Sequence, residues 1–340
     1  MNTAKTESAE SRILQALLES GESHVTGSRL AELLGVSRVT IWAHMENLRR
    51  DGFSIEAIRN KGYRLLQVAG GLSEPYLRCL LPELAKGNRL LLHRRTESTN
   101  RDAERLLADG KDAPFVVLAR RQTAGRGRLG RRWQSDDESN LYCSFAFRPL
   151  ATPERMRDFT LWIGASVCRC LEEESGLRPG LKWPNDIWYR ERKMGGILTE
   201  AKVNADQILE LVLGIGLNIN GTPSTWAAPL CQEAISVREA LGHSIDINRL
   251  TALLVKSILK AYEAFLAGDH RDKFRALWER YDLLNGREVT AFQGTEKVTG
   301  KAAGIDEHGR LRVITGSGET ALLSAGDVTL RPSSGRVSTE

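Results

Sequence analysis

Phe115-Val-Val-Leu-Ala119-Arg120-Arg121-Gln122-Thr123-Ala124-Gly125-Arg126-Gly127-Arg128-Leu129-Gly130-Arg131-Arg132-Trp133 is the stretch on which the reading of this chain turns. Its first five residues are apolar with two valines, the pattern of a short buried strand. The following glycines are interspersed with arginines, and no acid lies among them. Glycine permits left-handed backbone, and consecutive N–H groups can then curl into an anion-binding nest. Arginine adds fixed charge in a fork that suits phosphate or carboxylate oxygens. The letters Gly-x-Gly-x-x-Gly also match the dinucleotide fingerprint, which requires a helix to open at the loop. Here a polar stretch and a second strand, Leu141-Tyr-Cys-Ser-Phe-Ala-Phe147, follow instead. A kinase glycine loop fails as well, because no Val-Ala-Ile-Lys strand or His-Arg-Asp loop follows. A solvated basic loop is the plain alternative on this stretch alone.

At 340 residues the chain exceeds one ordinary domain,. Hydrophobic residues make up 41%, which excludes a disordered chain,. No apolar run has the length of a membrane span and the start lacks a signal peptide's apolar core, so a cytoplasmic protein without membrane association is expected. A net charge of +5 permits anionic partners without naming one,. The 5 cysteines are scattered with no Cys-x-x-Cys pair, against both a disulfide framework and a zinc site,.

Near the start, apolar residues at Ile13, Leu14, Leu17 and Leu18 have helical spacing, and Thr26 to Gly35 reads as a second short helix closed by its glycine,. Ser37 fits an N-cap for a third helix, Arg38 to Arg50,. Two helices joined by a tight Gly-containing turn are a helix-turn-helix signature, whose second helix presents its N-terminal side chains to the major groove. Ser37, Arg38, Thr40 and His44 are therefore candidate DNA contacts, with Val39, Ile41, Met45 and Leu48 expected to pack. Phe53 to Leu66 reads as a hairpin with Asn60, Lys61 and Gly62 at its tip, a wing, so Lys61 joins the candidates. Between Val36 and Arg64 six Lys/Arg face three Asp/Glu, although residues 1–66 as a whole are nearly balanced,. A small helical interaction module is the alternative.

Residues 67–75 read as a linker. After it, a strand at Leu90 leads to Thr96-Glu97-Ser98-Thr99-Asn100, where Ser98 or Thr99 can cap the next helix,. Phe159, Trp162, Ile163, Val167 and Leu171 mark a core helix. In Lys182-Trp183-Pro184-Asn185-Asp186 the proline keeps Trp183 extended, so Lys182 projects from a strand,. Leu209 to Asn220 is a strand carrying Gly214 and Gly216, and strand glycines mark close approach of a ligand or of other backbone. Helices are expected over 248–266 and 271–284. From Arg287 the pattern changes to short strands and turns, and residues 333–340 form a tail.

Ser98-Thr99-Asn100, the Gly125–Trp133 loop, Lys182–Asp186, Lys193-x-Gly195-Gly196-Ile197-Leu198 and Gly214-x-Gly216-x-Asn218 together resemble bacterial biotin protein ligases of the bifunctional type, which also repress the biotin operon. The motifs occur in that family's order over nearly the whole chain. The resemblance implies a multidomain α/β protein. It comprises a winged helix-turn-helix (1–66), a mixed-sheet catalytic domain akin to class II aminoacyl-tRNA synthetases (76–284) and a small SH3-like β-barrel (285–332). It implies that biotin and Mg-ATP give biotinyl-5′-adenylate, and that biotin then passes to a lysine of the carboxyl carrier protein of acetyl-CoA carboxylase. By that analogy Ser98, Thr99, Asn100 and Gln122 line the biotin site. Arg126, Gly127 and Arg128 close over biotin and the adenylate phosphate, in a loop that also contains Gly125 and Arg131. Lys182 contacts the biotin carboxylate and α-phosphate, Trp133 covers the adenine and Asn218 lies near the nucleotide. Asn185, Gly196, Gly214 and Gly216 complete the carried-over set, while metal ligands are not specified.

Joining a carboxylate to the ATP α-phosphate brings two anions together, so positioned cations must offset their repulsion. Lys182 and Arg128 can do that without acting as bases. Repression would follow if the adenylate favours a homodimer whose paired wings read a two-fold operator. The chain departs from the family after Trp133, where Ser135-Asp136-Asp137-Glu138-Ser139 replaces the usual Ser-Pro-x-Gly; this acidic cluster is expected to face the arginine-rich loop and tune its closure. A lipoate ligase, a biotin sensor without ligase activity and a ligase whose winged helix does not repress are the alternatives.

Overall fold

A computed structural model describes residues 8–330 apart from 224, 225, 227 and 229; the expected tail lies outside the described residues. The chain divides into two compact units, one comprising 1–148, 210–222 and 236–255, the other 149–209, 223–235 and 256–340.

The first unit begins with α1 (Ala9–Glu19), α2 (Gly27–Leu34), α3 (Arg38–Arg50), β1 (Ser54–Ile58) and β2 (Gly62–Gln67). Ser8, Thr26 and Ser37 cap the three helices, each accepting a backbone N–H with its side-chain oxygen, and Gly35 ends α2 in the left-handed conformation,. Ile13, Leu14, Leu17, Leu30, Ile41, Met45 and Leu48 share one core with Phe53 and Ile55. β2 is anchored to Val25 through Val25 N–H to Tyr63 O (2.8 Å) and Tyr63 N–H to Val25 O (2.9 Å). A Cβ at Gly62 would lie 2.2 Å from Val25 O, so only glycine fits at the tip of the wing.

The same core extends to α4 (Glu74–Leu80), where Tyr76 meets Phe53 edge-on at 6.3 Å. The connecting segment is not a loose tether. Ala69, Leu72 and Ser73 are buried, and the fully buried Asn248 binds this stretch from both sides. Its Oδ1 accepts Ser73 N–H (2.7 Å) and its Nδ2 donates to Gly71 O (3.0 Å). Tyr76 adds a hydrogen bond to Asp246 at 3.0 Å. Removing a partner from buried backbone groups leaves them unsatisfied, at about 1–3 kcal/mol each. Asn248→Ala is therefore expected to lower stability by about 2 kcal/mol and to open residues 67–73 to limited proteolysis; an unchanged urea midpoint and cleavage pattern would assign the clamp no role.

The chain continues through α5 (Pro82–Lys86), β3 (Leu90–His93), α6 (Thr99–Ala108), β4 (Phe115–Ala119), β5 (Leu141–Phe147), α7 (Phe159–Ser175), β6 (Gly180–Lys182), β7 (Asp186–Tyr189), β8 (Arg192–Asn204) and β9 (Gln207–Leu217). It ends with α8 (Leu230–Glu233), α9 (Val237–Leu241), α10 (Ile247–Ala267), α11 (Arg271–Tyr281) and β10 (Glu288–Gln293), β11 (Glu296–Ile305), β12 (Leu311–Thr315), β13 (Thr320–Leu323) and β14 (Asp327–Leu330). The strand order is β3-β4-β5-β9 in the first unit and β8-β7-β6 in the second. In the first unit β3 and β4 are parallel, whereas β4–β5 and β5–β9 are antiparallel. Every residue of β4 and β5 is buried, and α6 covers one face with Ala103 and Leu107 against Phe115, Val117, Ala146 and Val212.

In the second unit α7 lies in an aromatic core in which Phe159 meets Phe265 at 5.0 Å and Trp162 Nε1 donates to Ala261 O (2.8 Å). The C-terminal strands form an antiparallel sheet in the order β13-β12-β11-β10-β14. α11 stops at Tyr281, three residues before the expected end, because Asp282 turns back to accept Leu284 N–H and Trp278 Nε1–H.

Candidate functional site

In the first unit the candidate residues converge on the N-terminus of α6. Ser98 occupies the N-cap position without a side-chain cap bond. The capping is done from a distance: Gln122, just beyond β4, accepts Thr99 N–H (2.8 Å) and Thr99 Oγ1–H (3.1 Å) with its Oε1. Its Nε2 donates to Ser135 Oγ (2.9 Å), and that hydroxyl donates to Trp133 O (3.0 Å). On β5, Ser144 Oγ lies 2.7 Å from Thr99 Oγ1 and 2.5 Å from Asn100 Oδ1. Ser98, Thr99, Asn100, Gln122, Ser135 and Ser144 are all buried. Such a neutral network holds its donors and acceptors in fixed directions. Ser144 was not singled out from the sequence; a serine in an otherwise aromatic and apolar buried strand was the signal for it,.

Gly214 and Gly216 stand opposite Ser144 and Tyr142 in the β5–β9 register. A Cβ on Gly214 would lie 2.2 Å from Asn100 Oδ1, and one on Gly216 2.5 Å from the Trp133 indole. The close approach marked by these strand glycines is thus made by the protein's own candidate residues. Asn218 follows β9, is buried, and accepts Val237 N–H at 3.0 Å through its carbonyl.

The glycine-arginine stretch is a small hairpin. Trp133 N–H donates to Gly125 O (2.9 Å), Gly127 N–H to Arg131 O (2.7 Å) and Arg131 N–H to Arg128 O (3.1 Å). Its tip, Arg128–Gly130, is a 3-10 turn with Leu129 (φ 56°) and Gly130 (φ 73°) in the left-handed region. Gly127, Arg131 and Trp133 therefore spend their N–H groups inside the hairpin, and the arginine side chains carry the loop's positive charge. Arg126 Nη1 lies 3.3 Å from Glu104 Oε1, and Arg132 donates to Thr123 O (2.9 Å). Arg128 is half-buried and Arg131 exposed.

The acidic cluster also differs from expectation. Glu138 pairs with Arg121 at 2.9 Å, outside the hairpin, while Asp137 Oδ1 accepts Ser139 N–H (2.8 Å) and Asp136 accepts from Gln134 (2.7 Å). Short side chains in a turn bind the nearest N–H groups before they reach another loop.

The second unit holds Lys182, Asn185 and Gly196. Lys182 ends β6 opposite Asp186, and its Nζ lies 4.3 Å from the centre of the Trp188 ring,. Asp186 pairs with Lys193 at 2.8 Å. Asn185 accepts Ile197 N–H (2.9 Å) and donates to Ile197 O (2.7 Å), while Gly196 faces Asp186 across β7–β8. Trp183 is buried and its Nε1 donates to Gly309 O (3.0 Å), in the turn between β11 and β12. The C-terminal sheet thereby fixes the residue next to Lys182. No local pattern foretells this bond, which joins residues 126 positions apart.

On α3 the DNA candidates are sorted differently from expectation. Ser37 Oγ accepts Thr40 N–H (3.1 Å) and lies 2.9 Å from Thr40 Oγ1, so both hydroxyls serve the cap. His44 is turned to α1, its Nδ1 2.8 Å from Glu10 Oε1. Burial raises the Glu10 carboxyl, but hydrogen bonds from His44, its own backbone and Asn47 outweigh that and hold it below the usual range,. Arg38 and Lys61 are exposed. Val39, expected in the core, is 76% exposed because the buried stripe runs through Ile41, Met45 and Leu48,.

Among the described residues, no group of three or more His, Cys, Asp or Glu could hold a metal ion, and no helix is long and apolar enough to cross a membrane.

A winged helix, a mixed-sheet domain with a buried polar network and a small antiparallel C-terminal sheet define the protein class: a biotin/lipoate-type protein ligase with a DNA-binding module. Family models agree, with the biotin/lipoate A/B protein ligase family matching residues 92–218, an HTH domain 10–64 and the biotin protein ligase C-terminal domain 285–331. The chain is 32% identical over 313 residues to the bifunctional ligase/repressor BirA of Bacillus subtilis, covering 92% of this chain and 96% of that one. Identity to the Escherichia coli BirA is 31% over 327 residues, covering 94% and 96%. The biotin protein ligase of Aquifex aeolicus in complex with biotin and ATP has a TM-score of 0.61 at 31% identity, covering 72% of this chain and 99% of that one. The chain belongs to the family of bifunctional biotin protein ligases and repressors.

Proposed function

We propose that the chain joins biotin to ATP and passes it to a lysine of the biotin carboxyl carrier protein of acetyl-CoA carboxylase. A biotin carboxylate oxygen attacks the ATP α-phosphorus, the α–β anhydride bond breaks and pyrophosphate leaves. The acceptor lysine's neutral amine then attacks the mixed-anhydride carbonyl; AMP leaves and the amine sheds a proton.

The observation that carries this reading is the buried neutral network of Thr99, Asn100, Gln122 and Ser144. Biotin's ureido ring is uncharged, with one acceptor and two donors, and fixed neutral groups recognise it without the cost of burying a charge. Ser98 belongs to the same pocket. Trp133, held through Ser135 and Gln122, is assigned to the adenine and Asn218 to the nucleotide. Arg126, Arg128 and Arg131, on a hairpin shaped by Gly125 and Gly127, serve the carboxylate and phosphates. Lys182 offsets the charge that develops between them, with Asn185 and Gly196 shaping its turn and Gly214 and Gly216 seating Asn100 and Trp133. Magnesium is carried by the ATP phosphates, the usual mode for a cation that keeps most of its waters.

The winged helix gives the second half of the proposal. Biotinyl-adenylate acts as corepressor by promoting a homodimer, and two winged helices then read a two-fold operator. The protein works in the cytoplasm, where ATP, carrier and DNA meet. Purified protein mixed with biotin, Mg-ATP and a biotin carboxyl-carrier domain is expected to raise the acceptor's mass by one biotinyl group, with none added from lipoate. Tight biotin binding without any transfer would instead make the protein a sensor.

A further inference from the structure

The outer face of α3 presents apolar groups where a DNA-reading helix is expected to present polar ones. Ile41, Met45 and Leu48 are fully buried, and in the first two turns of the helix Arg38, Val39, Trp42 and Ala43 are all exposed,. Val39 is 76% and Trp42 57% exposed. Tryptophan is normally well buried, and one standing on the outer face of a packed helix calls for a partner.

Four polar side chains at the cap of α3 or along it already have partners within the protein. Ser37 and Thr40 close the helix cap, and His44 and Asn47 both bind Glu10 on α1. Of the candidates on this helix, Arg38 is the exposed cation, and it precedes the exposed Val39 and Trp42.

The partner's chemistry follows from this face. In the major groove the apolar group presented by a base is the thymine C5-methyl. Arg38 on α3 and Arg59 and Lys61 at the wing are exposed and supply charge for phosphates or a guanine edge,. We propose that Trp42 and Val39 read thymine methyl groups, and that apolar contact with these methyls is the main source of this chain's operator specificity. The proposal rests on the DNA-binding reading above and gives it a base preference and two named reading residues.

The test uses the full-length protein with biotin and Mg-ATP. Duplexes are selected from a random library, and each thymine of the selected half-site is then replaced in turn by deoxyuridine, which lacks only the methyl. Burying one methyl corresponds to about fourfold in affinity, so losses of about fourfold are expected at one or two positions. Trp42→Ala is expected to bind the selected duplex about tenfold to a hundredfold more weakly and to lose the response to deoxyuridine at its position. Val39→Ala should behave likewise at a neighbouring position. Both variants should transfer biotin at the wild-type rate and keep the wild-type hydrogen-exchange protection of α1 and α3, which shows that the winged helix folds. If the selected sites lack thymine in the contacted positions, or if deoxyuridine weakens wild type and Trp42→Ala alike, the inference is overturned while the DNA-binding reading stands. If wild type selects no duplex, both fall, and the apolar face belongs to a protein contact.

Discussion

Lys182→Ala is expected to slow formation of biotinyl-adenylate by about a hundredfold to a thousandfold, the usual cost of removing one positioned group that stabilises developing charge. The reacting carboxylate and α-phosphate are both anions, and the lysine's contribution grows as they approach. The loss should therefore fall on kcat more than on the affinity for biotin, whose head group is assigned to the neutral network at α6. The lysine's surroundings suit the role. The neighbouring carboxylate of Asp186 is paired with Lys193 at 2.8 Å, and the Lys182 ammonium lies over the Trp188 ring. Its strand is held in place by Trp183 through Gly309. Single-turnover release of pyrophosphate, measured beside biotin binding by calorimetry, separates the two steps. Lys182→Arg keeps the charge but not the point-like geometry and should fall in between. Equal losses in biotin affinity and in rate would show that Lys182 serves binding and not the chemical step.

The parts of this molecule that follow from local pattern were legible in the sequence. Ser37 before an apolar period of 3–4 predicted α3 and its cap, and Asn60 and Gly62 predicted the wing tip. The five motifs in order predicted the catalytic domain. Contacts between distant segments were not legible. Residues 67–75 have the composition of a tether, yet Asn248 from α10 clamps them, because one buried amide satisfies both an N–H and a carbonyl,. His44 has the position of a base-reading residue, yet Glu10 from α1 takes it. The same blindness hid Gln122 as the cap of α6. A capping side chain is sought within three residues of the helix start, and here it comes from 23 positions away.

The remaining large effect concerns Gly214. In the β5–β9 register its α-carbon faces Ser144, and the space a side chain would occupy is filled by Asn100, whose Oδ1 lies 2.5 Å from Ser144 Oγ. A methyl at Gly214 would stand 2.2 Å from that same oxygen. Asn100 is buried in the first turn of α6, so its amide must leave Ser144 and crowd the neighbours around it. Gly214→Ala is therefore expected to lower stability by about 1–3 kcal/mol, the usual range for overpacking. It should also reduce kcat/KM for biotin about a hundredfold, the scale on which a displacement of about 1 Å acts. Stability alone would not establish the site, because any crowded core position loses it. Adding Asn100→Ala to Gly214→Ala removes the clash, so the melting temperature should recover toward wild type. Biotin activation should remain as poor as in Asn100→Ala alone, because the recognising amide is gone. Recovery of both properties together would make Asn100 a packing residue and move biotin recognition away from the start of α6.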